Sequence, residues 1–142
     1  MAVALENDYQ QPVSAKADRL ELDQQSGSQQ FSGNVEITQG SIVIQADKLH
    51  IETRNGAIYR ISGSGNPIRF RQLDNDKKLI IVEGNRLDYV TPSWTVIFTG
   101  NVKVTRAAGE FSGHSIEYNL RKQQYKAKGN NRNRVSITLN PG

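Results

Sequence analysis

The chain has 142 residues, no cysteine and a net charge of +4, which fits one domain able to bury an ordinary core without metal or disulfide staples. The missing cysteines exclude a disulfide framework and a thiolate metal site, and no apolar run approaches the roughly 20 residues a membrane-spanning helix requires. The charge is uneven: residues 101–142 hold eight Lys or Arg against Glu110 and Glu117, a bias that suits either a solvated edge or an anionic partner.

At the start of the chain, Ala2-Val3-Ala4 matches the small residues that precede a signal-peptidase cut and reads as the stub of a removed export signal. Residues 1–10 are expected to be a flexible segment, followed by a single domain over 11–139. Alternation of period two then sets in, through Val35-Glu36-Ile37, Ile42-Val43-Ile44 and Leu49-His50-Ile51, and again through Val102-Lys103-Val104 and Val135-Ser136-Ile137-Thr138-Leu139. Such alternation belongs to strands with one face buried and one wet. Helical spacing is not sustained anywhere, and β-branched residues and Tyr fill the periodic stretches, so little or no helix is expected.

Gln25-Ser26-Gly27, Gln39-Gly40, Arg54-Asn55-Gly56, Asp74-Asn75-Asp76, Thr91-Pro92-Ser93 and Ala107-Ala108-Gly109 supply turns. Short turns imply antiparallel neighbours. Ser62-Gly63-Ser64-Gly65 lacks the third glycine and the strand-to-helix setting of a phosphate loop, and is expected to be a flexible loop.

One unit is written twice. Arg19-Leu20 recurs as Arg86-Leu87, and Phe31-Ser32-Gly33-Asn34-Val35 recurs as Phe98-Thr99-Gly100-Asn101-Val102, at a single offset of 67 residues. The copies span about 15–70 and 82–137. Gly33 and Gly100 fall inside strand-like runs, where glycine permits a bulge or sharp bend. Each hairpin has an apolar face that it cannot bury alone, so stacking the units makes the core. An elongated, jelly-roll-like stack or an open barrel follows, with edge strands near Val13 to Ala17 and Val135 to Leu139.

Catalytic chemistry is poorly served. His50 and His114 occupy unrelated positions in the two copies and read as outward strand residues, and the carboxylate pairs Asp18 with Glu21 and Asp74 with Asp76 read as surface and turn residues. No catalytic residue, metal site or cofactor is expected. The general alternative is a polyanion or nucleic-acid-binding β-module, because Arg121, Lys122, Lys126, Lys128, Arg132 and Arg134 surround Tyr118 and Tyr125. Those tyrosines replace Ile51 and Ile58 of the first copy, which speaks for interior packing and against nucleic acid.

Several runs carry a resemblance: Gln11-Pro12-Val13, Phe31-Ser32-Gly33-Asn34-Val35-Glu36-Ile37-Thr38-Gln39-Gly40, Ala46-Asp47-Lys48-Leu49, Gly65-Asn66-Pro67-Ile68-Arg69-Phe70, Val82-Glu83-Gly84, Thr99-Gly100-Asn101 and the closing Val135 to Leu139. With these the chain resembles the organic-solvent-tolerance, LptA-like family of periplasmic lipopolysaccharide-transport proteins. The resemblance implies an all-β, antiparallel open β-jellyroll, a folded-over two-sheet stack whose apolar slot takes the acyl chains of lipopolysaccharide. It also implies a periplasmic location, head-to-tail self-association, and partnership with an inner-membrane-anchored LptC-like component and an outer-membrane LptD-like component. The absence of an anchor helix and of a barrel-forming region favours the bridge between those two over a periplasmic domain of either.

Carried onto this chain, the family pattern places lipid contacts on Val13, Ala15, Phe70 and Tyr89. Alternation and the repeat add Phe31, Ile37, Ile44, Leu49 and Ile51, with Phe98, Val104, Phe111, Ile116 and Tyr118 as counterparts. Val13, Ala15 and Ala17 at one edge, and Val135, Ile137 and Leu139 at the other, are the expected oligomer edges. Ala15 is smaller than the aliphatic usual in the family. The family's lysine-rich tail is missing after Asn140-Pro141-Gly142, which reads as truncation.

Overall fold

The computed structural model describes residues 8–141, so the Ala2-Val3-Ala4 trio lies outside it. Ten strands follow in order: β1 (Ser14–Lys16), β2 (Arg19–Asp23), β3 (Ser28–Gln39), β4 (Ile42–Arg54), β5 (Ala57–Leu73), β6 (Leu79–Val90), β7 (Thr95–Arg106), β8 (Gly109–Asn119), β9 (Gln124–Lys128) and β10 (Ser136–Leu139). Helix among the described residues amounts to a turn at residues 8–10 and a 3-10 turn at Thr91–Ser93.

All the strands pair antiparallel in one sheet, ordered β1-β3-β4-β5-β6-β7-β8-β10. β2 joins β1 along the outer flank of β3, and β9 joins β10 along the outer flank of β8.

The sheet folds in two along a line of broken register. Pairing shifts between Ser32 and Val35, Gln45 and Lys48, Ser64 and Ile68, Glu83 and Arg86, and Thr99 and Val102. β3 and β7 turn there on matched pairs with positive φ, Gly33 (80°) with Asn34 (48°) and Gly100 (85°) with Asn101 (50°). A Cβ on Gly33 would stand 2.6 Å from Asp18 Oδ2. Asp18 also donates its N–H to Gly33 O at 2.8 Å, so the edge strand bends at the same level as β3. The glycines expected to permit a bend do so.

Two leaves result, and each turns one face inward. Across the first leaf the register aligns Leu20, Phe31, Leu49, Gly63, Leu87, Phe98 and Ile116. Across the second it aligns Ala15, Ile37, Ile44, Phe70, Val82, Val104, Phe111 and Ile137. Phe70 of the second leaf meets Phe98 and Tyr118 of the first edge to face, with centroids 5.9 and 6.4 Å apart. The fold is the open, antiparallel β-jellyroll expected.

One expectation needs correction. Ser62-Gly63-Ser64-Gly65 is no loop: it lies within β5, the longest strand, between β4 and β6. Gly63 faces inward opposite Leu49, and any Cβ there would collide with the Leu49 side chain and the Lys48 carbonyl. Of the segment expected over 1–10, residues 1–7 lie outside the described residues; Asp8 is only 5% exposed and Gln10 is exposed.

Candidate apolar slot

The inner faces of the two leaves form a largely apolar layer, because alternation along the long strands sends mostly aliphatic and aromatic side chains to one side. A narrow cavity within it holds about 40 Å³. Ile37, Ile44 and Phe70 of the second leaf, Tyr89 of the first, and Val13 at the entry to β1 all line it. These five belong to the lipid contacts expected from sequence. Phe31, Leu49, Ile51, Phe98, Val104, Phe111, Ile116 and Tyr118 are buried on the same inner faces, beyond the cavity wall. Ala15 is in register with Ile37 but lies exposed on β1.

Sequence reasoning missed Ile42, Ile61, Leu87, Val96, Leu120 and Tyr9, which with the polar Gln39 complete the lining. Leu87 was legible as the repeat counterpart of Leu20. Val96 was hidden because its counterpart in the first copy is the polar Gln29.

The layer does not end at the edge strands. Leu20, Leu22, Ile137 and Leu139 are between 55% and 62% exposed, and Val13 and Val135 are exposed beside them. Leu20, Ile137 and Leu22 continue inward rows, so at both ends of the stack the apolar stripe runs out into solvent beside strands with one unpaired backbone edge. The edge strands expected at Val13 to Ala17 and Val135 to Leu139 are present as β1 and β10, and β2 and β9 lengthen each edge.

Opposite the fold line, the turns of the two leaves approach each other and form a mouth. Asn75 Nδ2 donates to Gln123 Oε1 at 3.4 Å across it, and the Arg106 guanidinium lies 5.4 Å from the Tyr125 ring. Tyr125 stacks on Tyr118 with centroids 4.5 Å apart. Buried inside the mouth, Gln72 Oε1, Asn75 Oδ1 and Gln123 Nε2 have no hydrogen-bond partner, so the seam is only partly satisfied. Burial pushes the Tyr89 phenol up to about 12, and raises Tyr9, Tyr118 and Tyr125 as well. The phenols therefore stay neutral and suit an apolar lining.

The side chains that line the cavity are apolar apart from Gln39 and the two tyrosine hydroxyls. His50 pairs with Gln30 at 3.0 Å on the outer face of the first leaf, away from His114 on β8. Among the described residues no three His, Cys, Asp or Glu side chains are grouped to hold a metal ion. Tyr118 is fully buried, so it cannot offer a ring to a base at the basic surface around Arg121 to Arg134.

Comparison with known proteins agrees with this geometry. Residues 14–124 match the family model described as LptA/(LptD N-terminal domain) LPS transport protein. The lipopolysaccharide export system protein LptA of Haemophilus influenzae is 35% identical over 99% of this chain and 83% of its own length. LptA of Escherichia coli K12 is 30% identical over 99% and 77%.

The crystal structure of LptH, the LptA homologous periplasmic component of the lipopolysaccharide transport device of Pseudomonas aeruginosa, superposes with a TM-score of 0.86. That match has 25% identity and covers 95% of this chain and 99% of LptH. With its fold, its inward apolar layer and these relatives in agreement, the chain belongs to the LptA/(LptD N-terminal domain) family of lipopolysaccharide transport proteins.

Proposed function

We propose that this chain carries lipopolysaccharide through the periplasm by sheltering acyl chains between its two leaves and passing them along a row of end-to-end modules. The observation that carries the reading is the apolar inner layer that emerges at both ends of the stack, on Leu20 and Leu22 at one and Ile137 and Leu139 at the other. A lipid acyl chain costs about 0.8 kcal/mol for each CH₂ left in water. A carrier therefore needs a long apolar path, and a mouth that parts when an acyl chain enters leaves the phosphorylated sugars wet.

The exposed stripe ends would be buried by a second copy adding its edge strand to β1 and β2, or to β9 and β10. An inner-membrane LptC-like component at one end and an outer-membrane LptD-like component at the other would use the same two edges. The role is transport without catalysis.

A photocrosslinking residue at Phe70 or Tyr89 tests the path. It should capture lipopolysaccharide, whereas the same residue at Glu36 or Lys103, on outward strand positions, should not. Equal labelling from all four sites would remove the slot as the binding site.

A further inference from the structure

The slot is closed in this structure by a piece of its own chain. Asp8 buries its carboxylate at the turn between β3 and β4, where it accepts hydrogen bonds from Ser41 N at 2.7 Å and Ser41 Oγ at 2.6 Å. Gln72 Nε2 donates to Asp8 Oδ2 at 3.2 Å and to the Tyr9 hydroxyl at 3.3 Å. The Tyr9 ring then crosses the mouth and meets Trp94 of the first leaf edge to face, 5.1 Å between centroids. Tyr9 thus lines the apolar cavity while tying Gln72 of one leaf to Trp94 of the other.

Behind Tyr9 the interior has room for about three water-sized spheres, so an acyl chain enters only if something leaves. The leaves themselves are joined along continuous hydrogen-bonded strands and packed rows. The turn at residues 8–10 is held by a few side chains and leads into Gln11, Pro12 and Val13, which are exposed. Its release also returns the Asp8 carboxylate to water, which offsets part of the lost contacts. It can leave without breaking the sheet.

We infer that the turn at Asp8–Gln10 is an intramolecular latch: Tyr9 occupies the mouth of the slot, and an entering acyl chain expels it. This rests on the slot being the lipid site. A latch docked ten times as often as it is free would weaken apparent affinity by about tenfold.

Trp94 is the single tryptophan, so its emission reports on the latch directly. Lipid A dispersions titrated against the full chain should shift Trp94 emission as Tyr9 departs, and Tyr9→Ala should lower the half-saturating lipid A concentration by about tenfold. Because the chain has no cysteine, the double variant Asp8→Cys with Ser41→Cys can be compared oxidised and reduced in one preparation. That comparison cancels any effect of the substitutions on folding. The oxidised form, whose latch cannot leave, should lose the lipid A binding that the reduced form keeps.

Weaker binding by Tyr9→Ala, or equal binding by the oxidised and reduced pair, would overturn the latch while leaving the slot intact. Failure of every form to bind lipid A would remove the slot, and the latch with it.

Discussion

Tyr89 illustrates what a single side chain contributes to the inner layer. Its ring lies in register with Ile61 and Val96 and lines the cavity, and burial alone raises its phenol to about 12. An unfolded chain ionises tyrosine near 10, so between those values the unfolded state has lost its proton and the folded state has not. The resulting stability is complete below pH 10 and is lost as pH climbs toward 12. Urea midpoints should therefore hold steady up to about pH 10 and fall above it, with Tyr89→Phe reducing the fall. A midpoint independent of pH across that range would place Tyr89 in water.

Tyr89 was legible from the family pattern, and inward neighbours such as Ile37 from the period of two in Val35-Glu36-Ile37. Gly63 and Ser64 were not legible. Their low intrinsic strand preference reads as loop, yet β5 keeps its place between β4 and β6, where Gly63 makes room for Leu49. Packing against neighbours overrides propensity in a central strand. Tyr9 escaped for a different reason: the polar run Glu6-Asn7-Asp8 looks solvated, and only the fold brings Ser41 and Gln72 to Asp8.

Among the elements, the edge strands and the bend matter most. Gly33 and Gly100 combine positive φ with a close approach from Asp18 and Asn85, and that pairing converts long flat strands into two leaves. The bend was legible from two glycines at matched places in the repeat. That β1 and β2 form one bent edge was not, because Ala17-Asp18 carries no turn signal of its own. The apolar side chains of β10 have no layer beyond them, with Ile137 and Leu139 58% and 62% exposed.

Changing these two side chains should cost the monomer little, within about 0.5 kcal/mol each for surface positions. In a stack it would bring charge onto a buried stripe. Ile137→Glu with Leu139→Glu should abolish concentration-dependent oligomers in sedimentation velocity while leaving the thermal midpoint nearly unchanged. Oligomers of unchanged size would mean that β10 is not a joining edge.

For the whole molecule, the fold and the cargo rest on one feature, an inner layer that is apolar from end to end and shut along its mouth. The antiparallel class and the composition of that layer were legible from alternation, repeat and turns. Its closed state was not, because contacts such as Asn75 with Gln123 and Tyr9 with Trp94 join residues far apart in sequence and facing across two leaves.

The adjacent residues Val96 and Ile97 on β7 give the cleanest test, since Val96 faces the slot while Ile97 is exposed on the outer face. Lipid A bearing a nitroxide midway along an acyl chain should broaden the methyl NMR signals of Val96, Ile44 and Leu87 and spare that of Ile97. Broadening of Ile97 as strong as that of Val96 would mean that the lipid lies on the outer surface, and would contradict the slot.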